Sequence, residues 1–305
     1  MKIRDAAIAL ALGLTTIGAS NPASPPRIPV ESFAELPFIS NPVLSPDGER
    51  IAASVFINGV ERVAVYELAA GPQKQPLLVS VGEKAALRSI RWAGSDRLLI
   101  SVLMTSEYMG LTLPMTRLFS FQLSSGKASI LGKGKGIIGD DVIFVDPDGS
   151  YLLLSSQRTL LESPSVERIS LQDGSSTMVQ PSKTGIWNWF ADEAGVVRAG
   201  VDYDDRRLKL FYRPSAEAEL RRIETIRIAP AEDGVIDAIN FVPASDQVYV
   251  ISNAATGRFG VYRYDFASDG IGEPVFEHPR VDVEAITMHG SKVESVLYED
   301  ERPRV

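Results

Sequence analysis

The stretch at residues 45–56, SPDGERIAASVF, has a near-copy at residues 146–156, DPDGSYLLLSS. Four more turn centres share its surroundings. Together they are Asp47-Gly48, Ser95-Asp96, Asp148-Gly149, Ala194-Gly195, Ser245-Asp246 and Gly290-Ser291, in steps of 45 to 53 residues. Self-similarity at a period near fifty is the mark of solenoids, propellers or arrays, and it restricts the fold more than any single motif does.

Each turn follows a short apolar or aromatic segment: PVL, IRW, IFV, WNWF, INFV, AITM. Each precedes a second strand-like run: RIAASVF, RLLISVL, SYLLLSS, VVRAGVD, QVYVISN, KVESVLY. A third run comes after a loop, as in RVAVYEL, TRLFSFQL and FGVYRYD, and a weaker fourth, such as PLLVS or EPVFE, ends the unit. In RVAVYEL, Val63 and Val65 alternate with Arg62, Ala64 and Tyr66. Period-two alternation rich in β-branched and aromatic residues means strand. Second runs such as YLLLSS are apolar throughout, as expected of strands covered on both faces.

Four antiparallel strands per fifty residues describe a propeller blade. A sandwich has no reason to repeat the same unit with the same first turn, and no unit carries the 3.6-residue pattern of a helical solenoid. The expectation is an all-β propeller of four-stranded antiparallel blades, about five complete and a partial sixth. Pro then Asp-Gly favours a tight reversal, with Gly accepting positive φ.

A chain of 305 residues can hold one large all-β domain, and its 45% hydrophobic residues can fill a core. The net charge of −8 argues against nucleic acid, which requires a basic surface. With no cysteine, disulfides, thiolate zinc sites, iron–sulfur clusters, a cysteine nucleophile and a lipoprotein anchor are excluded.

The first twenty residues, MKIRDAAIALALGLTTIGAS, have a basic start (Lys2, Arg4), an apolar run from Ala6 and small residues at Gly18, Ala19 and Ser20. This is the layout of a secretory signal peptide, with Asp5 its one unsuited residue. The apolar run is too short for a comfortable membrane span. The expected organisation is a signal peptide over 1–20, a proline-rich linker over 21–30 and the propeller over 31–305. The mature protein then begins near Ser20 or Asn21, exported to the periplasm, with no membrane span once the signal is removed. The sixth unit has its first two strands and then EDERPRV. The expectation is of a truncated propeller, with IPVESFAEL near the N-terminus able to supply one missing strand of the two.

Motifs for chemistry are scarce. The strand-to-helix elbow of a serine hydrolase, G-x-S-x-G, does not occur. The two histidines, His278 and His289, read as loop or strand-edge side chains. GKGIIG at 134–139 spells G-x-G-x-x-G, but a strand and a DPDG turn follow where dinucleotide binding needs a helix. It reads as a glycine-rich link between blades. DYDDRR at 202–207 clusters carboxylates beside two arginines that neutralise them, and reads as a solvated hairpin tip rather than a calcium loop. No catalytic residue, cofactor or metal is assigned. SEYMGLTLPM at 106–115 reads as a long apolar insertion between strands two and three of the second unit. Tyr108, Met109, Leu111, Leu113 and Met115 suit either an interface or substrate loop, or packing within the propeller.

The segment FAELPFISNPVLSPDGERIAA resembles the start of the propeller in bacterial members of the prolyl oligopeptidase family, which includes dipeptidyl and acylaminoacyl peptidases. VESVLYEDERPRV is similar to a late-blade segment in the same proteins. The resemblance implies an N-terminal propeller that gates access of short peptides to an α/β-hydrolase domain bearing a Ser-Asp-His triad. No triad residue has a matching position, so none is carried over, and the hydrolase domain is missing. The expected function is the non-catalytic, substrate-gating propeller portion of an exported peptidase, inactive alone, with the missing hydrolase domain and short peptides as partners. The alternative is a stand-alone periplasmic propeller that binds proteins, similar to that of the Tol system.

Overall fold

The computed structural model of the chain describes residues 39–304, apart from 72, 83, 109, 133–135, 205–206, 228–235, 267–270 and 301. The expected signal peptide, linker and IPVESFAEL segment lie outside the described residues.

Five four-stranded antiparallel sheets and one three-stranded sheet follow one another along the chain. Blade 1 holds β1 (Ile39–Leu44), β2 (Arg50–Ile57), β3 (Val60–Glu67) and β4 (Leu77–Ser80). Blade 2 holds β5 (Ala85–Trp92), β6 (Arg97–Tyr108), β7 (Leu111–Gln122) and β8 (Lys127–Leu131). Blade 3 is β9 (Asp141–Val145), β10 (Tyr151–Ser156), β11 (Ser165–Ser170) and β12 (Ser176–Gln180). Blade 4 is β13 (Ile186–Ala191), β14 (Val197–Asp204), β15 (Arg207–Tyr212) and β16 (Arg221–Arg227). Blade 5 is β17 (Ile236–Phe241), β18 (Gln247–Ser252), β19 (Gly260–Asp265) and β20 (Ile271–Phe276). Blade 6 is β21 (Val283–His289), β22 (Lys292–Asp300) and β23 (Arg302–Arg304). In every sheet the strands pair in chain order. The chain is a β-propeller with the repeat its turns predicted.

Two expectations are corrected. The sixth unit does not stop after two strands: β23 pairs with the end of β22, Tyr298 opposite Arg304 and Asp300 opposite Arg302. Residues 106–115 are not an insertion loop. They lengthen β6 and β7 into a hairpin of two twelve-residue strands paired to its last residues, Tyr108 opposite Leu111. The alternation of a strand continues through Leu111, Leu113 and Met115, and Gly110 takes the turn with φ 79°.

The second and third strands carry the core because both their faces are covered. On one face of blade 1, Ala52, Val63 and Val65 pack against Ile90, Leu98 and Ile100 of blade 2. Leu99 and Leu118 meet Leu152, Leu154 and Ile169 at the next junction. Leu153 and Val166 meet Ile186, Trp189 and Val197. Val201 and Leu210 meet Phe241, Val248 and Tyr264. Tyr249 and Ile251 meet Val283, Val293 and Val296. Each fully buried Val or Leu contributes roughly 1.5–3 kcal/mol, so the sheet-to-sheet faces dominate the stability.

The turns that set the period also join the blades. The Arg50 Nη1 donates to Ser95 O at 3.1 Å, and Tyr249 Oη donates to Ser291 O at 3.3 Å. A Cβ on Gly149 would lie 2.8 Å from the Ala93 carbonyl, so the DPDG turn of blade 3 needs glycine for close approach as well as for its φ of 70°. Gly48 in the matching SPDG turn has a φ of 72° but open space beside it.

Candidate functional site

First strands of neighbouring blades approach one another, β1 with β5 and β9 with β13, which places them on the inside of the ring. All six carry one residue too many for the second strand they pair with. The extra residue is Arg88 in β5, Ile143 in β9, Trp187 in β13, Asp237 in β17 and Glu284 in β21; in β1 it falls between Ser40 and Val43. A bulge re-aims a side chain and strengthens the local twist. In a regular strand Arg88 and Arg91 would point to opposite faces, being an odd number of residues apart. The bulge turns both toward blade 3.

There they line a cleft of about 640 Å³ between the inner strands of blades 2, 3 and 4. Arg88 and Arg91 form one wall. Asp140 and Asp141, at the entry to blade 3, form the facing wall, and Trp187 and Asn188 come from blade 4. Leu103 and Pro114, at the base of the long β6–β7 hairpin, close a further side. The volume falls in the range usual for small-ligand sites.

The charges are unevenly engaged. Arg88 Nε lies 3.3 Å from Asp140 Oδ2, and the Ser101 hydroxyl donates to the same oxygen. Arg91 Nη1 donates to the Val142 carbonyl at 3.1 Å. Burial holds the Arg91 guanidinium below its usual pKa, with Asp141 opposing. Burial pushes the Asp141 carboxyl up to about 6; the Ser155 hydroxyl, opposite it in the β9–β10 ladder, opposes the rise, Asp140 adds to it and Arg91 opposes it more weakly. Among the described residues the terminal nitrogens of Arg88 have no protein partner. Trp187 is 41% exposed, an unusual state for the largest apolar side chain.

The link carrying Asp140 is held from both blades. Thr116 N donates to Ile137 O at 2.8 Å, and Gln157 N donates to Ile138 O at 2.9 Å. Gln157 Oε1 accepts from the amides of Ile137 and Ile138, both at 3.0 Å. A Cβ on Gly136 would lie 2.2 Å from Gln157 Cβ, and one on Gly139 2.8 Å from Thr116 O. Gly136 and Gly139 therefore serve close packing, and strand β9 follows them, as the reading of an inter-blade link requires.

The sequence-derived candidates are scattered. Leu111, near the hairpin tip, is 63% exposed, Leu113 is half-buried and Met115 is buried, with its sulfur 3.7 Å from Arg117 Nη2. Met109 and the side chain of Tyr108 lie outside the described residues. Among the described residues of DYDDRR the acids are met by a lysine. Lys209 Nζ reaches Asp202 at 2.9 Å and Asp204 at 3.4 Å, while Asp205 and Arg206 lie outside the described residues. His278 Nδ1 accepts the amides of Arg280 and Val281 at 3.3 and 3.2 Å, and its ring stacks on Tyr298. His289 ends β21 in solvent.

Arg88, Arg91, Asp140, Asp141 and Trp187 were not singled out from the sequence. The available signal was the ladder itself: the bulged positions stand five to eight residues before each turn centre.

Fold and cleft together define a propeller of five four-stranded blades and a partial sixth, with a polar opening on its inner wall. No protein-family model and no curated protein sequence matches the chain. Solved structures do match in fold. A prolyl endopeptidase structure superposes with a TM-score of 0.55 at 13% identity, over 85% of this chain and 39% of that one. Dipeptidyl peptidase 4 of Porphyromonas gingivalis gives 0.51 at 13% identity, over 77% and 38%. An acylaminoacyl peptidase in complex with Z-Gly-Gly-Phe-chloromethyl ketone gives 0.50 at 13% identity, over 88% and 45%. The matched parts are propeller domains, and the chain spans about two-fifths of the length of these structures. The fold is therefore that of the peptidase propellers.

Proposed function

We propose that the chain is the non-catalytic propeller portion of an exported serine peptidase similar to the prolyl oligopeptidase family. In this reading it admits short peptides to an α/β-hydrolase domain that performs the hydrolysis. The observation that carries the reading is the cleft, where the inner strands of three blades meet at a peptide-sized opening lined by both signs of charge and an exposed indole. Such mixed lining suits a peptide, which presents amides, charged ends and apolar side chains together. The fold likeness to peptidase propellers and the chain's share of their length support it. Export to the periplasm rests on the basic start and apolar run of residues 1–20. Among the described residues no helix is long and apolar enough to cross a membrane.

The test is binding set beside turnover. The purified chain is expected to bind short peptides in its cleft, and to leave proline- and alanine-linked chromogenic peptides uncleaved. Cleavage abolished by a serine-directed inhibitor overturns the non-catalytic assignment. Failure to bind peptides, with stable capture of a folded periplasmic protein, replaces this reading with the stand-alone binding propeller.

A further inference from the structure

Resting on the peptide reading, the cleft also indicates which part of a peptide it takes. Three observations converge on an anion. The bulge at Arg88 brings two guanidinium groups of β5 to one wall, where a regular strand would separate them. Arg88 spends its Nε on Asp140 and leaves its terminal nitrogens open to the cleft. Asp140 already has its Oδ2 engaged by both Arg88 and Ser101, so part of the acidic wall is committed before any ligand arrives. Open guanidinium donors lining a cleft match a carboxylate, which accepts two parallel N–H bonds. Trp187 adds a flat apolar face from the inner strand of blade 4.

We propose that Arg88 and Arg91 form a carboxylate-binding site that takes the free C-terminal carboxylate of a short peptide, with Trp187 packing against the side chain beside it.

The charged surroundings of Asp141 give the site a pH signature. Asp141 is faced by Arg88 and Arg91 from β5 and by Asp140 on its own link, with Arg117 of β7 within electrostatic reach of Asp140. When ionised, Asp141 competes with the ligand for Arg91. Its carboxyl titrates at about 6, so protonation below that pH removes the competitor. A peptide carboxylate stays ionised throughout that range. Affinity should therefore rise as pH falls from 7.5 to 5.5.

The experiment titrates the intact chain with three peptides by calorimetry: acetyl-Ala-Ala-Phe as the free acid, the same peptide as its amide, and acetyl-Ala-Glu-Phe amide. Acetylation removes the amino group, so attraction to Asp141 plays no part. The free acid is expected to bind roughly tenfold to a hundredfold tighter than its amide, the usual worth of a charge-assisted hydrogen bond. That preference should rise toward pH 5.5 and shrink in Arg88→Gln and in Arg91→Gln. Asp141→Asn should hold the affinity near its low-pH value at pH 7.5. Trp187→Ala should weaken all three peptides alike. Equal binding of acid and amide overturns the carboxylate site and leaves the peptide reading standing. Preference for the Glu-containing amide over the free acid moves recognition to an acidic side chain and overturns the C-terminal assignment. Failure of all three to bind defeats this inference and the peptide reading together. The acid-to-amide ratio is measured on the unaltered chain, so it stands even if a variant misfolds.

Discussion

Two blade junctions use the same residue types for opposite ends. Between blades 4 and 5, Arg198 is bulged out of β14, where Ala199 and Val197 pair with consecutive residues of β13. It is buried, with every guanidinium nitrogen engaged. Its Nε donates to Arg213 O at 2.9 Å, Nη1 to Asp192 at 3.0 Å, and Nη2 to both Tyr212 Oη and Asp246 at 2.6 Å. Tyr212 Oη in turn donates to Asp246, and burial with that bond pushes the phenol up to about 12. Asp192 also accepts the amides of Ala194 and Val196. Between blades 2 and 3, Arg88 is likewise set by a bulge and likewise meets an aspartate, yet its terminal nitrogens face an open cleft. A saturated arginine fixes two blades together. An unsaturated one has bonding capacity left for something else.

The largest expected effect breaks the saturated side. Replacing Arg198 by Met leaves the buried Asp192 Oδ2 without its cation, with only Oδ1 still held by the Ala194 and Val196 amides, and removes the bond across to Asp246 in blade 5. Removing one partner of a buried ion pair costs about 3–5 kcal/mol. Urea denaturation of Arg198→Met is expected to show a loss of that size with the slope unchanged. A loss below about 1 kcal/mol, the worth of an exposed pair, would mean the two junctions do not differ as their geometry says.

A smaller effect comes from the open side and has its own pH dependence. Asp141 has a folded pKa raised from 3.8 to about 6, so the folded state binds more protons than the unfolded one between those values. Stability due to this group is therefore highest below about pH 4. It declines as pH rises toward 6 and stays low above, because the carboxylate is then charged where burial opposes it. Asp141→Asn should accordingly stabilise the chain at pH 7.5, by about 1–2 kcal/mol, and change little at pH 4. Thermal melts at the two pH values measure this. A variant that is destabilised at pH 7.5 would show that Asp141 is favourably paired, and would remove the contrast.

How legible this was in the sequence differs by level. The fold was open to inspection because a tight turn needs particular residues: SPDG and DPDG announce the reversal, and the apolar runs beside them announce the sheet. Gly48 and Gly149 look alike in sequence, yet only Gly149 is pressed against another blade, since close approach depends on the neighbour and not on local conformation. The long hairpin was misread as a loop because Gly110 and Pro114 punctuate its apolar residues; the β6–β7 ladder continues past both. The cleft was hidden for a stronger reason. Arg88 and Trp187 reach it through bulges, and a bulge shifts the face on which every preceding residue lies, so period-two reading assigns them to the wrong side. Asp140 and Asp141 sit beside the GKGIIG link, where attention to its glycines masks the acids that follow.

The smallest expected effect separates stability from recognition at the open junction. Arg88 is half exposed, and its bond to Asp140 is shared with Ser101, which remains when the arginine is replaced. A solvent-screened pair of this kind is worth about 0–1 kcal/mol. Gln at 88 keeps part of the aliphatic stem and an amide N–H donor in place of the guanidinium. Arg88→Gln should therefore unfold within about 1 kcal/mol of the unaltered chain, at a cost several-fold below that of Arg198→Met under the same conditions. Arg88→Met, measured beside Arg88→Gln, gives both positions the same replacement, so its difference from Arg198→Met reports how many donors were already committed. If Arg88→Gln proves as costly as Arg198→Met, the arginine at the cleft is a structural tie between blades 2 and 3, and its open nitrogens hold no reserve for a ligand.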